Sequence, residues 1–267
     1  MDFAKHCIVK PGTKLHIETL DPGETFGIAK DDRKLAHTLE RLRKQQYLLY
    51  AERSRALLLV LQALDAGGKD GTIQHVMSGV NPQGCQVAAF KVPTSEEKAH
   101  DFLWRIHQKV PELGNIGIFN RSHYEDVLVA RVHNLVAKEE WSKRYDQIND
   151  FERMLTENKV TILKFFLHIG KDEQKERFEE RLQDPSKNWK LSLPDFEERK
   201  HWDEYMKAYQ SVLRKCSTEW APWYVIPAND KWRRNYIIAD IIVQTLDEMK
   251  LRYPPPAMDL SKVKIDD

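Results

Sequence analysis

The chain has little cysteine, no long apolar run and no surplus of either charge. Its three cysteines, Cys7, Cys85 and Cys216, are odd in number and widely spaced, with no C-x-x-C pair. That argues against a disulfide framework or a cysteine metal site, and free thiols in a reducing compartment are expected. The longest uncharged apolar stretch, Ala56 to Leu64, contains Gln62 and falls far short of a membrane span. The N-terminus, MDFAKHCIVKPGTK, carries charge where a signal peptide needs an apolar core. A cytoplasmic protein with no membrane partner is therefore expected. The formal net charge of +1 gives no global bias towards nucleic acid, so any anion site must come from local clustering. Internal repeats and low-complexity segments are missing as well. Among the ten histidines there is no H-x-x-x-H pair, and His75, His123 and His168 read as structural.

What is present describes an ordinary globular protein. At 267 residues, with 41% apolar and 31% charged, the chain can bury a substantial core in one large domain or two small ones. Residues 1–30 alternate short runs with Pro11, Gly12, Pro22 and Gly23 and suggest a peripheral arm or hairpin. From Lys34 to Ala51, leucines at helical spacing beneath many charges predict an amphipathic helix. Strand-like runs follow at 56–64, 85–92, 115–120, 161–169 and 223–227. Helical patterns lie at 71–80, 95–109, 123–157 in one or two pieces, 171–183, 195–217 and 231–249. Continuous apolar strands alternating with helices predict an α/β parallel sheet with helices on both faces. Residues 184–215 break this rhythm with Pro185, Pro194 and dense charge, and are expected to form a lid. The main domain would then span 31–253, and 254–267 would be an extended tail.

The stretch LLLVLQALDAGGKDGTI (57–73) joins a strand to a helix through a glycine-rich turn. Compared with the phosphate loop G-x-x-x-x-G-K-[ST], it has Ala63 for the first glycine and Asp70 for the Ser/Thr. Phosphate binding needs backbone N–H groups converging at a helix N-terminus, with a lysine beside them. Gly67 and Gly68 allow the backbone to approach, Lys69 supplies charge, and Asp70, Gly71 and Thr72 open the helix. A glycine-rich turn with a solvated lysine would fit the same residues. Asp65 could replace the missing hydroxyl as a metal ligand, or could simply form the turn. The run IFNRSHYED (118–126) ends the third strand. Asn120 and Arg121 reach the loop's crevice if strands 56–64 and 115–120 are neighbours. Asp126 is a further candidate metal ligand, although it and Glu125 also suit a helix cap. Trp202, Tyr205 and Tyr209 lie on one helical stripe, which suits packing better than base stacking.

DAGGKDGT (65–72), FNRSHYEDV (119–127), TILKFFLHI with KDEQ (161–174), RLQDPSKNWKLSLPDFEERKHWDEYMKAY (181–209) and APWYVIPANDKW (221–232) together resemble the type-2 polyphosphate kinases. The resemblance covers nearly the whole chain from about Leu35. Asn120 and HVMSGVNPQGC (75–85) look most like the subgroup that accepts both AMP and ADP. It implies a thymidylate-kinase-like P-loop fold with a helical lid, Mg²⁺ as cofactor, and inorganic polyphosphate and adenine or guanine nucleotides as partners. A homo-oligomer is expected. The implied catalytic set is Asp65, Lys69, Arg121 and Arg181, with the loop amides on phosphate and Asp65 and Asn120 toward the metal. Many relatives carry Asp where this chain has Asn120. Basic and acidic residues balance over 171–215, so composition alone shows no basic channel. Two rival readings share the loop: an ATP-dependent nucleoside monophosphate kinase, and a non-catalytic nucleotide-binding switch.

Overall fold

In the computed structural model, which describes residues 1–263, the apolar runs at 56–62, 116–120, 160–168 and 223–227 become strands buried on both faces, while the run at 85–89 forms a largely exposed edge strand. With a short strand near the N-terminus they form one six-stranded sheet among the described residues: β1 (Ile8–Val9), β2 (Ala56–Gln62), β3 (Cys85–Ala89), β4 (Ile116–Asn120), β5 (Val160–His168) and β6 (Trp223–Pro227). Their order is β1-β6-β5-β2-β4-β3, parallel throughout except for the short antiparallel edge strand β1. Successive residues of a strand point to opposite faces. Leu57, Leu59 and Leu61 of β2 therefore enter one apolar cluster, and Ala56, Leu58 and Val60 enter the other.

The described residues form eleven α-helices: α1 (Phe3–Cys7), α2 (Asp32–Glu52), α3 (Lys69–Val76), α4 (Ser95–Lys98), α5 (Trp104–His107), α6 (Val129–Val132), α7 (Lys138–Glu157), α8 (Lys171–Gln183), α9 (Leu193–Lys200), α10 (Trp202–Lys215) and α11 (Lys231–Glu248). α1, α2, α3 and α11 pack on the first face, where Ile237, Ile238, Ile241 and Ile242 are buried. α7 and α10 pack on the second through Tyr145, Ile148, Phe151, Tyr209 and Val212. This is the P-loop kinase-like α/β architecture, with the glycine-rich turn at the end of the central strand β2.

Three local features depart from the sequence pattern. Residues 1–30 are more than a surface arm: α1 and β1 bury Phe3, Cys7 and Val9, and Ile17 follows them into the core. The helical pattern at 95–109 splits into two single turns, because Asp101 interrupts it and caps Leu103 N–H at 3.0 Å. The segment 184–215 divides at His201. Residues 184–200 are mostly exposed, whereas α10 is core, with Ala208, Tyr209, Val212 and Leu213 buried. Of the tail expected over 254–267, residues 264–267 lie outside the described residues.

β5 carries a buried lysine in an otherwise apolar strand. Lys164 is fully buried, and its ammonium donates to Tyr124 Oη at 2.9 Å and also reaches the Glu152 carboxylate and the Cys216 carbonyl. Burial works against ionising Glu152, but Lys164 and His123 outweigh it and hold the carboxyl below its ordinary range. This network ties α7, β5 and the turn after β4 together beneath the crevice. The three cysteines are free, and burial pushes the Cys7 and Cys216 thiols up to about 12. Among the described residues no helix is long and apolar enough to cross a membrane.

Candidate active site

β2 runs between β4 and β5, so residues leaving its carboxyl end meet those leaving β4. The loop between β2 and α3 twice takes left-handed backbone, at Ala66 (φ 57°) and at Gly68 (φ 99°). Gly68 is the N-cap of α3 and offers no side chain to the helix, so the first amides are left for an anion. Gly67 is required by crowding: a Cβ there would lie 2.5 Å from the Ala63 methyl and 2.8 Å from the Leu64 carbonyl oxygen. Ala63, standing where the usual loop begins with glycine, is thus accommodated by the glycine opposite it.

The charged residues expected at the site converge. Arg121, at φ 61°, donates from Nη2 to Asp65 Oδ1 at 2.9 Å, joining the end of β4 to the loop. Lys69 turns back across the loop and donates to the Ala63 carbonyl at 2.8 Å. Burial, followed by the nearby Arg121 charge, pushes the Lys69 ammonium down, against the pull of Asp65, Glu125 and Asp70. For Arg121, burial acts against the charge, but Glu125 and Asp65 outweigh it and raise the guanidinium above its ordinary value. Asn120 Nδ2 donates to Asp70 Oδ1 at 2.7 Å, so the residue in the Ser/Thr place braces the loop against β4. Thr72 is buried, and its hydroxyl has no partner among the described residues.

A crevice of about 290 Å³ opens beside these groups. Asp65, Arg121 and Glu125 line one side of it, and Val92, Leu128, Val129, Pro194 and Trp202 provide apolar surface. A larger groove of about 640 Å³ lies on α2 around Arg43, Tyr47 and Tyr253 and holds none of the loop residues.

Lys69, Asn120 and residues 67–72 stand beside the crevice without lining it, whereas Asp126 and Arg181 are engaged elsewhere. Asp126 accepts from Arg144 Nη1 at 3.1 Å and lies 3.9 Å from Arg105 Nη2, so arginines from α7 and α5 already neutralise it. The acid that lines the crevice is its neighbour Glu125, whose carboxyl burial pushes up while Arg121 and Lys69 pull it down. Arg181 lies with its guanidinium over the Phe178 ring, 5.9 Å from the centroid, and does not line the crevice.

The sequence pattern missed the arginines that frame the loop. Arg177, buried on α8, donates from Nη1 to the Ala66 carbonyl at 2.9 Å and from Nη2 to the Asn229 carbonyl at 3.0 Å. Gln174, one turn earlier, donates to the Asp65 carbonyl at 2.8 Å, and Arg199 Nη1 in turn donates to Gln174 Oε1 at 2.9 Å. With carbonyls 65 and 66 held from behind, the loop's amides are free to face outward. The Q-x-x-R spacing on one helix face was the available signal, but it reads equally as solvated surface.

The donor set suits a hard cation held in part by substrate. Asp65 Oδ2 and the side-chain amide oxygen of Asn120, Oδ1, make no hydrogen bond among the described residues. No group of three or more His, Cys, Asp or Glu is placed to hold a metal there. An all-protein cage is therefore not what the site offers. Mg²⁺ needs no such cage, because phosphate oxygens and water complete its shell.

Residues 27–254 match the family described as polyphosphate kinase 2. An AMP/ADP-polyphosphate phosphotransferase from Meiothermus ruber is 51% identical over 262 residues, covering 97% of this chain and 98% of that protein. An ADP-polyphosphate phosphotransferase from Rhodopseudomonas palustris is 49% identical over 81% of this chain and 79% of its own length. The crystal structure of polyphosphate kinase 2 from Arthrobacter aurescens TC1 superposes with a TM-score of 0.93 at 44% identity, covering 98% of this chain and 94% of that one.

Proposed function

The chain belongs to the polyphosphate kinase 2 family, and from that membership and the site's geometry we infer a phosphotransferase that phosphorylates AMP and ADP from inorganic polyphosphate. The observation that carries this is the Asp65–Arg121 pair, 2.9 Å across the mouth of an uncapped helix N-terminus that also bears Lys69. Phosphoryl transfer needs positioning and charge neutralisation more than covalent chemistry, and these groups supply both.

The loop amides and Lys69 hold the end of the donor chain, and Arg121 neutralises charge that builds on the equatorial oxygens. A phosphate oxygen of AMP or ADP attacks the terminal phosphorus in line. The new P–O bond forms as the bridging P–O bond to the chain breaks, and the electron pair leaves with the shortened polyphosphate. No general base is required, because the attacking oxygen is already anionic. The apolar surface of Val92, Leu128, Val129 and Trp202 suits the nucleoside.

Magnesium is the cation we assign. Asp65 and the Asn120 side-chain Oδ1 would hold it, and when bound it would offset the negative charge of the donor phosphates. The exposed stretch 184–200, whose Pro194, Glu198 and Arg199 line the crevice, is the lid of this reading. The domain itself spans 31–253. A cytoplasmic homo-oligomer completes the reading; family resemblance supports the assembly, and the free cysteines fit a reducing compartment.

The test is purified protein with Mg²⁺, AMP or ADP, and polyphosphate without ATP, with products separated by chromatography. ADP and ATP should appear. Phosphorylation of AMP from ATP but never from polyphosphate would hand the site to the monophosphate-kinase reading. Nucleotide binding with no transfer from either donor would favour the switch.

A further inference from the structure

A buried guanidinium stands against the phosphate loop without a carboxylate of its own. Arg234, in the first turn of α11, is 3% exposed. Its Nε and Nη2 donate to Asn235 Oδ1 at 3.1 and 2.9 Å, while Nη1 makes no hydrogen bond among the described residues. The group lies along the opening turn of α3. A Cβ on Gly68 would fall 1.9 Å from Nη1, and one on Gly71 would fall 3.6 Å from Nη2. Glycine at 68 thus serves two ends: it permits the positive φ and it makes room for the arginine.

The surroundings do not neutralise this charge. Arg177 is the other guanidinium beside Gly68, and its Nε is already tied to Glu173 at 2.7 Å. Asp230 is nearby, but its carboxylate is taken by Arg233 at 2.7 Å and by the Arg233 amide. Burial, and after it Arg177, push Arg234 down to about 10, still a cation at neutral pH. A buried charge lacking a partner costs stability, so an apolar residue here would favour the fold. The free nitrogen stands beside amides that no side chain caps, where an anion would be welcome from both.

We propose that Arg234 is a donor-binding residue, whose Nη1 takes a non-transferred phosphate of a condensed phosphate chain as it passes the N-terminus of α3. This rests on the polyphosphate reading above. Arg234 stands against Gly68 and makes no bond to Asp65 or Arg121, which line the crevice, so the phosphate we assign to it lies further along the chain than the one transferred. Nucleoside monophosphate, which lacks a chain, should not need it.

Arg234→Gln tests this by calorimetric titration with tripolyphosphate alone and with AMP alone. Affinity for tripolyphosphate should fall on the order of tenfold, while AMP affinity should hold and the melting temperature without ligand should hold or rise. An R234Q protein that binds tripolyphosphate as tightly as wild type would overturn the assignment. Should R234Q not fold, Arg234→Lys keeps the charge but loses the planar fork clamped by Asn235. It should weaken tripolyphosphate about threefold, and unchanged affinity there would equally overturn it. Wild type that binds no tripolyphosphate would defeat the donor reading itself, and this assignment with it.

Discussion

The phosphate loop and the segment 184–200 border the same crevice but are held in opposite ways. The loop is tied by bonds from distant parts of the chain: Arg177 and Gln174 from α8, Arg121 from β4, and Lys69 folded back on Ala63. The segment before α9 is tied mostly to itself. Ser186 and Lys187 bond Asp184, and Asn188 reaches back to the Arg181 carbonyl. Trp189 and Leu193 are 77% and 83% exposed. Longer-range ties appear only later, where Arg199 donates to Gln174 and Glu198 meets His133 and Tyr205. Transition-state charge requires donors that do not move, whereas excluding water requires a part that does. On the proposed reading, one crevice therefore joins a fixed wall to a cover fastened near one end.

The largest expected effect lies on the fixed wall. Lys69→Ala should lower turnover by roughly 10³-fold, about 4 kcal/mol of transition-state stabilisation, with the melting transition little changed. Near-normal steady-state rates would remove Lys69 from the chemistry and make the loop a plain turn.

Next is Asp65→Asn, expected to cost about 10²-fold, against about tenfold or less for Asn120→Ala. Titrating Mg²⁺ against rate separates metal placement from turn formation. A ligand variant needs more Mg²⁺, whereas a turn variant melts lower with its metal requirement unchanged. If Asp65→Asn kept the wild-type Mg²⁺ curve and rate, the metal assignment would be wrong.

How far this contrast could be read in the sequence depends on where each partner sits in the chain. The central strands were legible because burial on both faces leaves continuous apolar runs, and β2, β4, β5 and β6 fall where those runs lie. The two-residue β1 was not, since so short a strand leaves no periodicity. The convergence of Asp65, Lys69, Asn120 and Arg121 around the loop was legible because they lie at or beyond strand ends, where a parallel sheet gathers its ligands. Arg177, Arg199 and Arg234 were not, because a charged residue on a helix looks solvated until its burial is known. Lys164 reads as a flaw in a strand until Glu152, on the preceding helix, is seen to meet it.

On the cover the effects should be smaller. Arg199→Ala removes the tie between α9 and Gln174, and should raise the KM for polyphosphate about threefold with kcat within about twofold. A variant that instead lost kcat alone would place Arg199 among the groups acting on the transition state.

The smallest effect is on pH dependence. Burial opposes ionisation of Glu198, but the hydrogen bonds from Tyr205 and His133 prevail and depress its carboxyl below the usual 4.5. A depressed carboxyl stabilises the folded form above its unfolded value and loses that contribution as pH falls through the folded one. Protection of α9 from hydrogen exchange, corrected for intrinsic rates, should therefore be intact at neutral pH and decline below about pH 4.5. Glu198→Gln should abolish that decline, and an unaltered profile would show that another group fastens the cover.

The central claim, a fixed loop beneath a cover that closes on the donor, is tested most directly by hydrogen exchange of the wild-type chain alone, with AMP, and with polyphosphate. Polyphosphate should slow exchange across 184–200 on the order of tenfold, and change the already protected strand β2 little. AMP alone should do much less at either place. Equal protection of both regions by polyphosphate, or none over 184–200 at saturating donor, would contradict the account.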